Sequence, residues 1–332
     1  MPAVAAGVLS IAGGRLVLAL LRRHAILDRP NERSSHTIPT PRGGGLAVTP
    51  AVLAAWTLAA LGLGADVWLW AMIAAGLGLM AVCWMDDRHT LPVAPRLLAQ
   101  AGAVMVLTAL LPAGQTVFQG WLPLWLDRAV TAIGWLWFVN LYNFMDGIDG
   151  ITGVETASLG VGIAVVAALA GLSAGLVPLG LACAAAGAGF LVWNWHPARM
   201  FMGDVGSVPL GLLLGGLLIQ VAAEGQLAAA LVLPLYYLAD ATLTFTARAA
   251  RGEKVWRAHR QHFYQRAVRG GRRHDQVSLA VLAGNVGLIG CAVVAAAGSP
   301  WLGLLGGVAV TALLLAALQH WSRGLTPSPG AP

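Results

Sequence analysis

The chain has 332 residues, of which 58% are hydrophobic and only 10% are charged, and its formal net charge is +6. Such a composition excludes a soluble enzyme and a disordered chain, and it predicts an integral membrane protein. The single lysine, Lys254, follows Glu253 where a phosphate-binding loop needs glycine, so ATP-driven transport by this chain is excluded too. The three cysteines lie far apart in apolar runs and are expected to be core thiols.

Eleven apolar segments are long enough to cross a bilayer, which takes about 20 residues of helix. They predict an all-α polytopic membrane bundle of about eleven transmembrane helices, folded as a single domain over residues 1–332. The first segment ends at Arg22 and Arg23 with no basic region before it, which indicates a retained span and not a cleaved signal peptide. The predicted spans are residues 3–21, 44–63, 66–84, 95–112, 128–143, 153–170, 174–193, 206–222, 226–246, 276–297 and 300–321.

The positive charges indicate which way the bundle faces. If the spans alternate in direction, 18 of the 20 Lys and Arg residues fall on one side of the membrane, the exceptions being Arg15 and Arg128. Loops on the cytoplasmic side of a membrane carry such an excess. We therefore expect the N-terminus outside, the C-terminus in the cytoplasm, and the basic loops 22–43 and 247–275 in the cytoplasm.

Two polar motifs precede the fourth predicted span. RSSHTIPTPRGGG, residues 33–45, is a Gly-rich loop that is either a simple connection or part of a ligand site. Asp86 and Asp87 end the third span, and adjacent carboxylates repel each other unless a cation or a nearby arginine such as Arg88 offsets their charge. A metal or phosphate site explains the pair, and a solvated helix end is the alternative. Because neighbouring helix residues face different directions, we expect the two carboxylates to have different partners.

A third motif, NLYNFMDGIDG, ends the fifth predicted span. Asn140, Asn143, Asp146 and Asp149 follow one another in it at intervals of three, which keeps their polar groups on one helical face or turn. Two amides and two carboxylates are costly at the end of an apolar helix unless they are used. We interpret them as ligand-binding residues, with a simple polar turn as the alternative.

A fourth motif, FMGDVGS, places Asp204 and Ser207 at the start of an apolar helix, where backbone N–H groups and the helix dipole favour anions. An N-cap is one interpretation of Asp204. A metal-bound diphosphate is the other, because the carboxylate would hold the cation while the helix N-terminus faced the phosphate oxygens.

A fifth motif, HRQHFYQR, lies in the long basic loop before the tenth predicted span. It brings His259, Arg260, His262 and Arg266 within eight positions. Arginine binds phosphate through a bidentate fork, and histidine donates hydrogen bonds or moves protons near neutral pH. The motif therefore predicts a diphosphate site, and a basic surface in contact with anionic lipid is the alternative.

The predicted topology places all five motifs on the same side of the membrane. Carboxylates for a divalent cation, with Arg, His and helix N–H groups for a diphosphate, indicate phosphoryl transfer between a soluble nucleotide and a lipid phosphate. A secondary transporter is the main alternative, but it should carry ionisable groups near the midplane, and only Asp240 lies clearly within a predicted span. A purely structural membrane protein would leave the five motifs unexplained.

With these five motifs in this order, the chain from Arg33 to Arg266 resembles the polyprenyl-phosphate N-acetylhexosamine-1-phosphate transferases. That family includes the enzymes that initiate bacterial O-antigen and teichoic-acid synthesis and the phospho-muramyl-pentapeptide translocase. The resemblance implies transfer of a sugar 1-phosphate from a UDP-sugar to undecaprenyl phosphate, with release of UMP. It also implies Mg²⁺, with Mn²⁺ as the alternative, and a site on the cytoplasmic face of the bacterial inner membrane.

The resemblance also assigns roles to individual residues. It makes Asp204 the metal ligand, with Asn143 as the second ligand, and it gives catalytic roles to Asp86, Asp87 and Asp204. It gives Asp149 a contact with uridine. It assigns substrate binding as a whole to Asn140, Asn143, Asp146, Asp149, His259, Arg260, His262 and Arg266.

Several choices stay open at this point. Eleven spans and the HRQHFYQR form of the last loop are closer to the O-antigen branch than to the translocase, whose members usually have ten spans. The donor is UDP-GlcNAc, UDP-FucNAc, UDP-QuiNAc or another UDP-sugar, and neither the pathway nor the number of chemical steps is fixed. We expect the UDP-sugar, undecaprenyl phosphate and the bilayer as partners and no nucleic acid, with a homodimer as one open oligomeric state.

Overall fold

The computed structural model of the chain describes residues 1–30, 38–64, 66–89, 91–112, 114–255 and 259–324. Within these residues the chain forms thirteen α-helices and one pair of two-residue strands, β1 (Leu27–Asp28) and β2 (Thr40–Pro41). The helices are α1 (Pro2–Arg23), α2 (Gly45–Leu63), α3 (Val67–His89), α4 (Val93–Ala109), α5 (Leu124–Phe144), α6 (Ile151–Ala170), α7 (Leu176–Asn194), α8 (Asp204–Val221), α9 (Leu227–Val232), α10 (Leu235–Ala250), α11 (Phe263–Arg269), α12 (His274–Ala296) and α13 (Pro300–Ser322).

Helices occupy all eleven segments that the sequence predicts to cross the membrane. Eight helical runs of the described residues are long and apolar enough to span a bilayer: α1, α2, α3, α6, α7, α12, α13 and the run from Asp204 to Val232. Helix α4 is apolar but has only 17 residues, and α5 carries the charged residues Asp127 and Arg128 close to its N-terminal end. The chain is an all-α polytopic membrane protein. The number eleven and the orientation of the termini stay predictions.

The predicted span 226–246 is not one continuous helix. Helix α9 ends at Val232 and α10 begins at Leu235, and Pro234 lies between them. Proline has no N–H to donate and its ring clashes with the preceding turn, so a helix is interrupted there. A second interruption separates α8 from α9, because Glu224 and Gly225 leave the helical conformation and Gly225 adopts φ 97°.

The strand pair was not predicted from the sequence. Leu27 pairs with Pro41 and Asp28 pairs with Thr40 in an antiparallel arrangement. It joins the segment after α1 to the Gly-rich segment before α2, of which residues 33–37 lie outside the described residues. The pairing therefore fixes where the Gly-rich segment enters α2.

Helix α8 lies at the centre of the bundle, and nearly all of its side chains are buried. Its sequence is apolar on every face, which is typical of a helix surrounded by other helices. Gly215 contacts Trp135 of α5, and Gly216 contacts Met72 of α3. Small residues let membrane helices approach closely, so these glycines fix the position of α8 between its neighbours.

Candidate active site

The Gly-rich motif and FMGDVGS are joined through their backbones. The N–H groups of Gly43 and Gly44 donate to the carbonyl oxygen of Phe201 over 3.1 and 2.8 Å, and the N–H of Gly45 donates to Met202 over 2.9 Å. A Cβ atom at Gly45 would collide with the backbone of Gly206, so only glycine permits this approach. The Gly-rich segment therefore holds the turn that precedes α8.

Three carboxylates and two arginines meet at the N-terminal end of α8, and we call them the Arg–carboxylate cluster: Asp86, Asp87, Asp204, Arg42 and Arg96. An Nη atom of Arg42 lies 2.6 Å from Asp204 Oδ1 and 3.1 Å from Asp87 Oδ1. Arg96 pairs with Asp86 and lies 3.0 Å from Asp204 Oδ2. Asp204 thus stands between the two guanidinium groups, and each of them also contacts one member of the Asp86–Asp87 pair.

Asp86 and Asp87 have different partners, in line with their different directions on α3. Asp86 accepts the N–H of Leu91 over 2.7 Å and pairs with Arg96. Asp87 accepts the N–H of Val205 over 3.1 Å, which places its charge at the N-terminal end of α8, where the helix dipole favours an anion. Asp87 is therefore tied to the start of the central helix, and Asp86 to the segment that follows α3.

The charges of the cluster do not balance, because three carboxylates face two guanidinium groups. Burial disfavours the charge of Arg42, but the carboxylates of Asp204 and Asp87 outweigh burial and raise the pKa of Arg42 above its usual range. Within the part of the chain that the structure describes, Asp87 Oδ1 is buried without a hydrogen bond, although an Nη atom of Arg42 lies 3.1 Å from it. The cluster therefore keeps a buried, partly unsatisfied oxygen next to an excess of negative charge.

The NLYNFMDGIDG residues are not all directed to the same place. Asn143 Oδ1 accepts the hydroxyl of Ser207 over 2.7 Å, which links α5 to α8 beside Asp204. Asn140 donates to Leu136 O of its own helix over 2.8 Å. Asp146 accepts the hydroxyl of Thr152 over 2.6 Å, and burial raises its pKa to about 6 although that hydrogen bond and the charge of Arg42 act against it. Asn143 and Asp146 are therefore the motif residues next to the cluster.

Asp149 is held by two histidines. Its Oδ2 lies 2.7 Å from His196 Nδ1 and accepts the N–H of Ala198 over 3.1 Å, and its Oδ1 lies 3.2 Å from His274 Nδ1. Burial alone would raise the pKa of Asp149, but its contacts with His274 and His196 outweigh burial and lower that pKa below its ordinary value. Both carboxylate oxygens are therefore engaged by side chains of the loop before α8 and of α12.

The three ligand atoms of Asp149, His196 and His274 lie within 4.8 Å of one another, close enough to hold one metal ion. Two imidazoles and one carboxylate suit zinc or another transition metal better than magnesium, which prefers oxygen ligands. The separation of 2.7 Å between His196 and Asp149 is a hydrogen-bond distance. We therefore describe this group as a hydrogen-bonded clamp that joins three segments of the chain.

The HRQHFYQR segment packs against the NLYNFMDGIDG turn. Tyr264 donates its hydroxyl to Phe144 O over 3.2 Å, and the same hydroxyl lies so close to Gly147 that a Cβ atom there would collide with it. His262 is buried, and Arg266 lies over the ring of Phe263, with 4.2 Å between the guanidinium carbon and the ring centroid. This contact brings the fifth motif to the end of the bundle where the other four meet.

His259 and Arg260 belong to the same segment. Burial lowers the pKa of His259 to about 4, and the neighbouring His262 acts in the same direction, so His259 is neutral at physiological pH. Its ring centroid lies 4.8 Å from that of His262. The two histidine rings therefore lie tilted against each other, on either side of Arg260 in the sequence.

The donor atoms around Asp204 fit a hard divalent cation. The carboxylates of Asp204 and Asp87 and the side-chain oxygen of Asn143 are oxygen donors, which Mg²⁺ and Mn²⁺ prefer. Asp87 Oδ1 has no hydrogen bond, and the cluster carries more negative than positive charge. A cation at this position would supply the positive charge that the cluster lacks.

The sequence interpretation missed several residues of this site. Arg42 lies inside the quoted Gly-rich motif but was not assigned a role, and Arg96 was only counted among the basic residues. His196, His274 and Asn194 were also missed, although Asn194 accepts the N–H of Gly150 over 2.9 Å and donates to Met200 O over 3.0 Å. A polar residue at the end of an apolar helix was the available signal for Asn194, and His274 lies likewise at the start of α12.

Residues 69–222 of the chain match the sequence model of glycosyl transferase family 4. The chain is 27% identical over 321 residues to a probable undecaprenyl-phosphate N-acetylglucosaminyl 1-phosphate transferase of Bacillus subtilis, covering 91% of this chain and 87% of the relative. It is 29% identical to a decaprenyl-phosphate N-acetylglucosaminephosphotransferase of Mycobacterium tuberculosis (80% and 74% covered). It is 31% identical to a phospho-N-acetylmuramoyl-pentapeptide-transferase of a Synechococcus species (65% and 68% covered).

Proposed function

The chain belongs to glycosyl transferase family 4, the family of polyprenyl-phosphate hexosamine-1-phosphate transferases, and from this premise we propose that it transfers an N-acetylhexosamine 1-phosphate from a UDP-sugar to undecaprenyl phosphate. The products are undecaprenyl-diphosphate-sugar and UMP. We propose that this step initiates synthesis of a cell-surface polysaccharide of the O-antigen type.

The observation that carries the proposal is the Arg–carboxylate cluster at the start of α8. Oxygen ligands for a cation and two arginines for phosphate groups lie there within hydrogen-bond distance of one another. Phosphoryl transfer depends mainly on positioning and on neutralising the charge of the phosphate oxygens. The cluster offers groups for both tasks.

We assign the metal ligands to Asp204 and Asn143, with Asp87 Oδ1, which is ion-paired with Arg42, beside them. A bound Mg²⁺ would neutralise the negative charge of the diphosphate and polarise its P–O bonds. Arg42 and Arg96 bind phosphate oxygens, because a guanidinium forms charge-assisted hydrogen bonds with them. Asp86 orients the lipid phosphate through Arg96.

In the proposed reaction an oxygen of the lipid phosphate attacks the sugar-linked phosphorus directly. A new P–O bond forms to the lipid, and the bond between the two phosphates of the donor breaks, which releases UMP. A phosphomonoester has a second pKa of about 6, so the attacking phosphate is mostly ionised near pH 7. A base is therefore helpful and not essential, and positioning by Asp86 and Arg96 carries more of the effect.

An apolar groove supports the assignment of a polyprenyl acceptor. It lies between α5, α8, α9 and α10, has a volume of about 230 Å³, and is lined by residues such as Trp135, Phe138, Leu218 and Leu231. Phe138 precedes Asn143 by five residues on α5, or roughly 8 Å at 1.5 Å per residue. The groove would hold part of the prenyl chain while the phosphate reached the cluster.

Transport of a solute has less support than group transfer. Asp240, the acid on which a transport hypothesis depends, accepts five hydrogen bonds from its own surroundings. An acid that binds a transported ion near the midplane should keep oxygens for that ion.

The proposal is tested by incubating the purified protein in detergent with undecaprenyl phosphate, Mg²⁺ and a panel of radiolabelled UDP-sugars. We expect a lipid-linked product with at least one UDP-N-acetylhexosamine and equimolar UMP. Absence of lipid-linked product with every donor, in a preparation that is folded and contains the lipid acceptor, would contradict the proposed function.

We also propose that the site faces the cytoplasm. Cysteines introduced separately at the exposed positions Arg269 and Trp125, in a variant without the three natural cysteines, test this orientation. An impermeant thiol reagent should label Trp125→Cys in intact cells and should label Arg269→Cys only after lysis. The opposite pattern would reverse the topology.

A further inference from the structure

Asp240 of α10 is buried and accepts hydrogen bonds from two elements of the chain. Two of the donors are hydroxyl groups of α10 itself, Tyr236 and Thr244, each at 3.3 Å. The others belong to the HRQHFYQR segment: His262 Nδ1 at 3.1 Å, and the N–H groups of Phe263 and Tyr264 at 3.0 and 3.3 Å. Asp240 is therefore the point at which this segment is fastened to the bundle.

The contact between Asp240 and His262 determines which nitrogen of the imidazole ring carries a proton. A carboxylate can only accept a hydrogen bond, so the proton of the contact must lie on His262 Nδ1. The second ring nitrogen, Nε2, then faces away from Asp240. A carboxylate next to an imidazole also stabilises the imidazolium, in which both nitrogens carry a proton. The ring is held further by Tyr264, whose plane lies at 15° to it with centroids 5.7 Å apart.

We propose that Asp240 is a positioning residue for His262: it holds the ring by Nδ1 and stabilises the imidazolium, so that Nε2–H is presented to the diphosphate of the nucleotide-sugar. This inference rests on the proposed function, in which His262 binds the donor substrate. It assigns a role to an acid that the proposed transfer reaction does not otherwise use.

Other charged or titratable groups lie close to His262. His259 lies against its ring and is neutral, because burial and the charges of His262 and Arg248 lower its pKa to about 4. Arg248 is paired with Glu253 at 2.8 Å. Arg266 of α11 is also near Asp240: burial lowers the pKa of Arg266, and the charge of Asp240 acts against burial. Asp240 is the acid that touches the ring itself.

The test compares Asp240→Asn with two matched controls, Tyr236→Phe and Thr244→Val. Each control removes one hydrogen bond to Asp240 but leaves its charge, whereas Asp240→Asn keeps the shape and removes the charge. We expect Asp240→Asn to raise KM for the UDP-sugar roughly ten- to hundred-fold at pH 8, as the loss of a charge-assisted hydrogen bond does. The controls should change KM by less than about three-fold.

A double-mutant cycle separates positioning from helix capping, because Asp240 also binds the N–H groups of Phe263 and Tyr264. In a His262→Ala background, Asp240→Asn should have little further effect on KM. An equal effect in both backgrounds, or an effect no larger than that of Thr244→Val, would overturn the proposal and leave Asp240 as a cap.

A second measurement does not need turnover. In protein labelled with ¹⁵N at histidine, the signals that disappear in His262→Ala belong to His262. They should report a proton on Nδ1 in the wild type, and they should shift in Asp240→Asn, which lacks the charged carboxylate that contacts that nitrogen. If the wild type makes no lipid-linked product but these signals behave as expected, the proposed function fails and the Asp240–His262 pairing stands; unchanged signals in Asp240→Asn refute the pairing.

Discussion

The Arg–carboxylate cluster and the pair formed by Glu155 and Asn285 both keep acidic side chains away from water, but they do so with different partners. In the cluster three carboxylates face two arginines, and Asp87 Oδ1 has no hydrogen bond. In the pair Glu155 of α6, which is fully buried, has one amide as its partner: Asn285 Nδ2 of α12 donates to Oε2 over 2.7 Å. The cluster holds charged side chains at one end of the bundle, whereas Glu155 and Asn285 join two long apolar helices, α6 and α12.

The unsatisfied atoms of the two regions have different explanations. Among the described residues, neither Glu155 Oε1 nor Asn285 Oδ1 has a hydrogen-bond donor. If Glu155 carries a proton, it can donate to Asn285 and satisfy both atoms, which makes a neutral acid–amide pair. A charged, unpaired acid inside a membrane protein is costly. An unsatisfied acid next to arginines indicates a ligand site, and an unsatisfied acid next to an amide indicates a neutral structural contact.

The largest expected effect separates Asp204 of the cluster from Glu155 of the buried pair. Asp204→Asn should lower transferase activity at least about a hundred-fold, because it removes charge where the reacting phosphates and the cation are stabilised. The variant leaves two carboxylates facing two guanidinium groups, so its thermal unfolding temperature in detergent should equal or exceed that of the wild type. Glu155→Gln is the matched control, and it should keep most of the activity. Near-normal turnover of Asp204→Asn at low Mg²⁺ would contradict the assignment.

The second prediction concerns Arg96. Its replacement by Ala leaves three carboxylates with one arginine, so we expect a loss of activity of about ten- to hundred-fold and a less stable fold. Added Mg²⁺ should then raise the unfolding temperature of Arg96→Ala more than that of the wild type, because the cation relieves the extra repulsion. Arg128→Ala serves as the control, since Arg128 donates to the carbonyl oxygens of Leu111 and Pro112 away from the cluster. Equal responses of the two variants to Mg²⁺ would argue against a cation at the cluster.

The third prediction distinguishes the adjacent acids of α3. Asp86 pairs with Arg96, and Asp87 is bound to the start of α8. If Asp86 orients the lipid phosphate, Asp86→Asn should lose more activity at pH 6, where that phosphate is half protonated, than at pH 8.5. Asp87→Asn should instead raise the Mg²⁺ concentration needed for half-maximal activity at both pH values. Identical pH and Mg²⁺ profiles for the two variants would show that the roles are not divided in this way.

The smallest expected effect belongs to the buried pair. Asn285→Leu removes the donor of Glu155 and should reduce the free energy of unfolding by about 1–3 kcal/mol, the usual cost of an unsatisfied buried polar group. KM for the donor should not change, because the pair is not part of the proposed site. The double variant Glu155→Leu with Asn285→Leu should recover stability relative to Asn285→Leu. If it does not, Glu155 has partners beyond Asn285.

The motif residues show how far sequence interpretation reaches. The five motifs were expected to converge at one end of the bundle, and they do so through Gly43 and Phe201, Asp87 and Val205, Ser207 and Asn143, and Tyr264 and Phe144. The predicted roles of the individual residues are a separate matter and stay predictions. Asp149 illustrates the limit, because it was assigned to uridine, whereas in the structure both of its oxygens are bound to histidines and a backbone N–H.

The amino-acid sequence by itself determined that this is a helical membrane protein, where its apolar segments lie, and which short motifs carry polar chemistry, because all of these depend on residues that are close together in the chain. Only the tertiary structure decided which charges meet. Arg42 and Arg96 reach Asp204 across 162 and 108 positions of the sequence, and His274 reaches the Asp149 backbone across 125. Such pairs form because packing around α8 brings distant segments within a few ångströms, and no local pattern of residues encodes that distance.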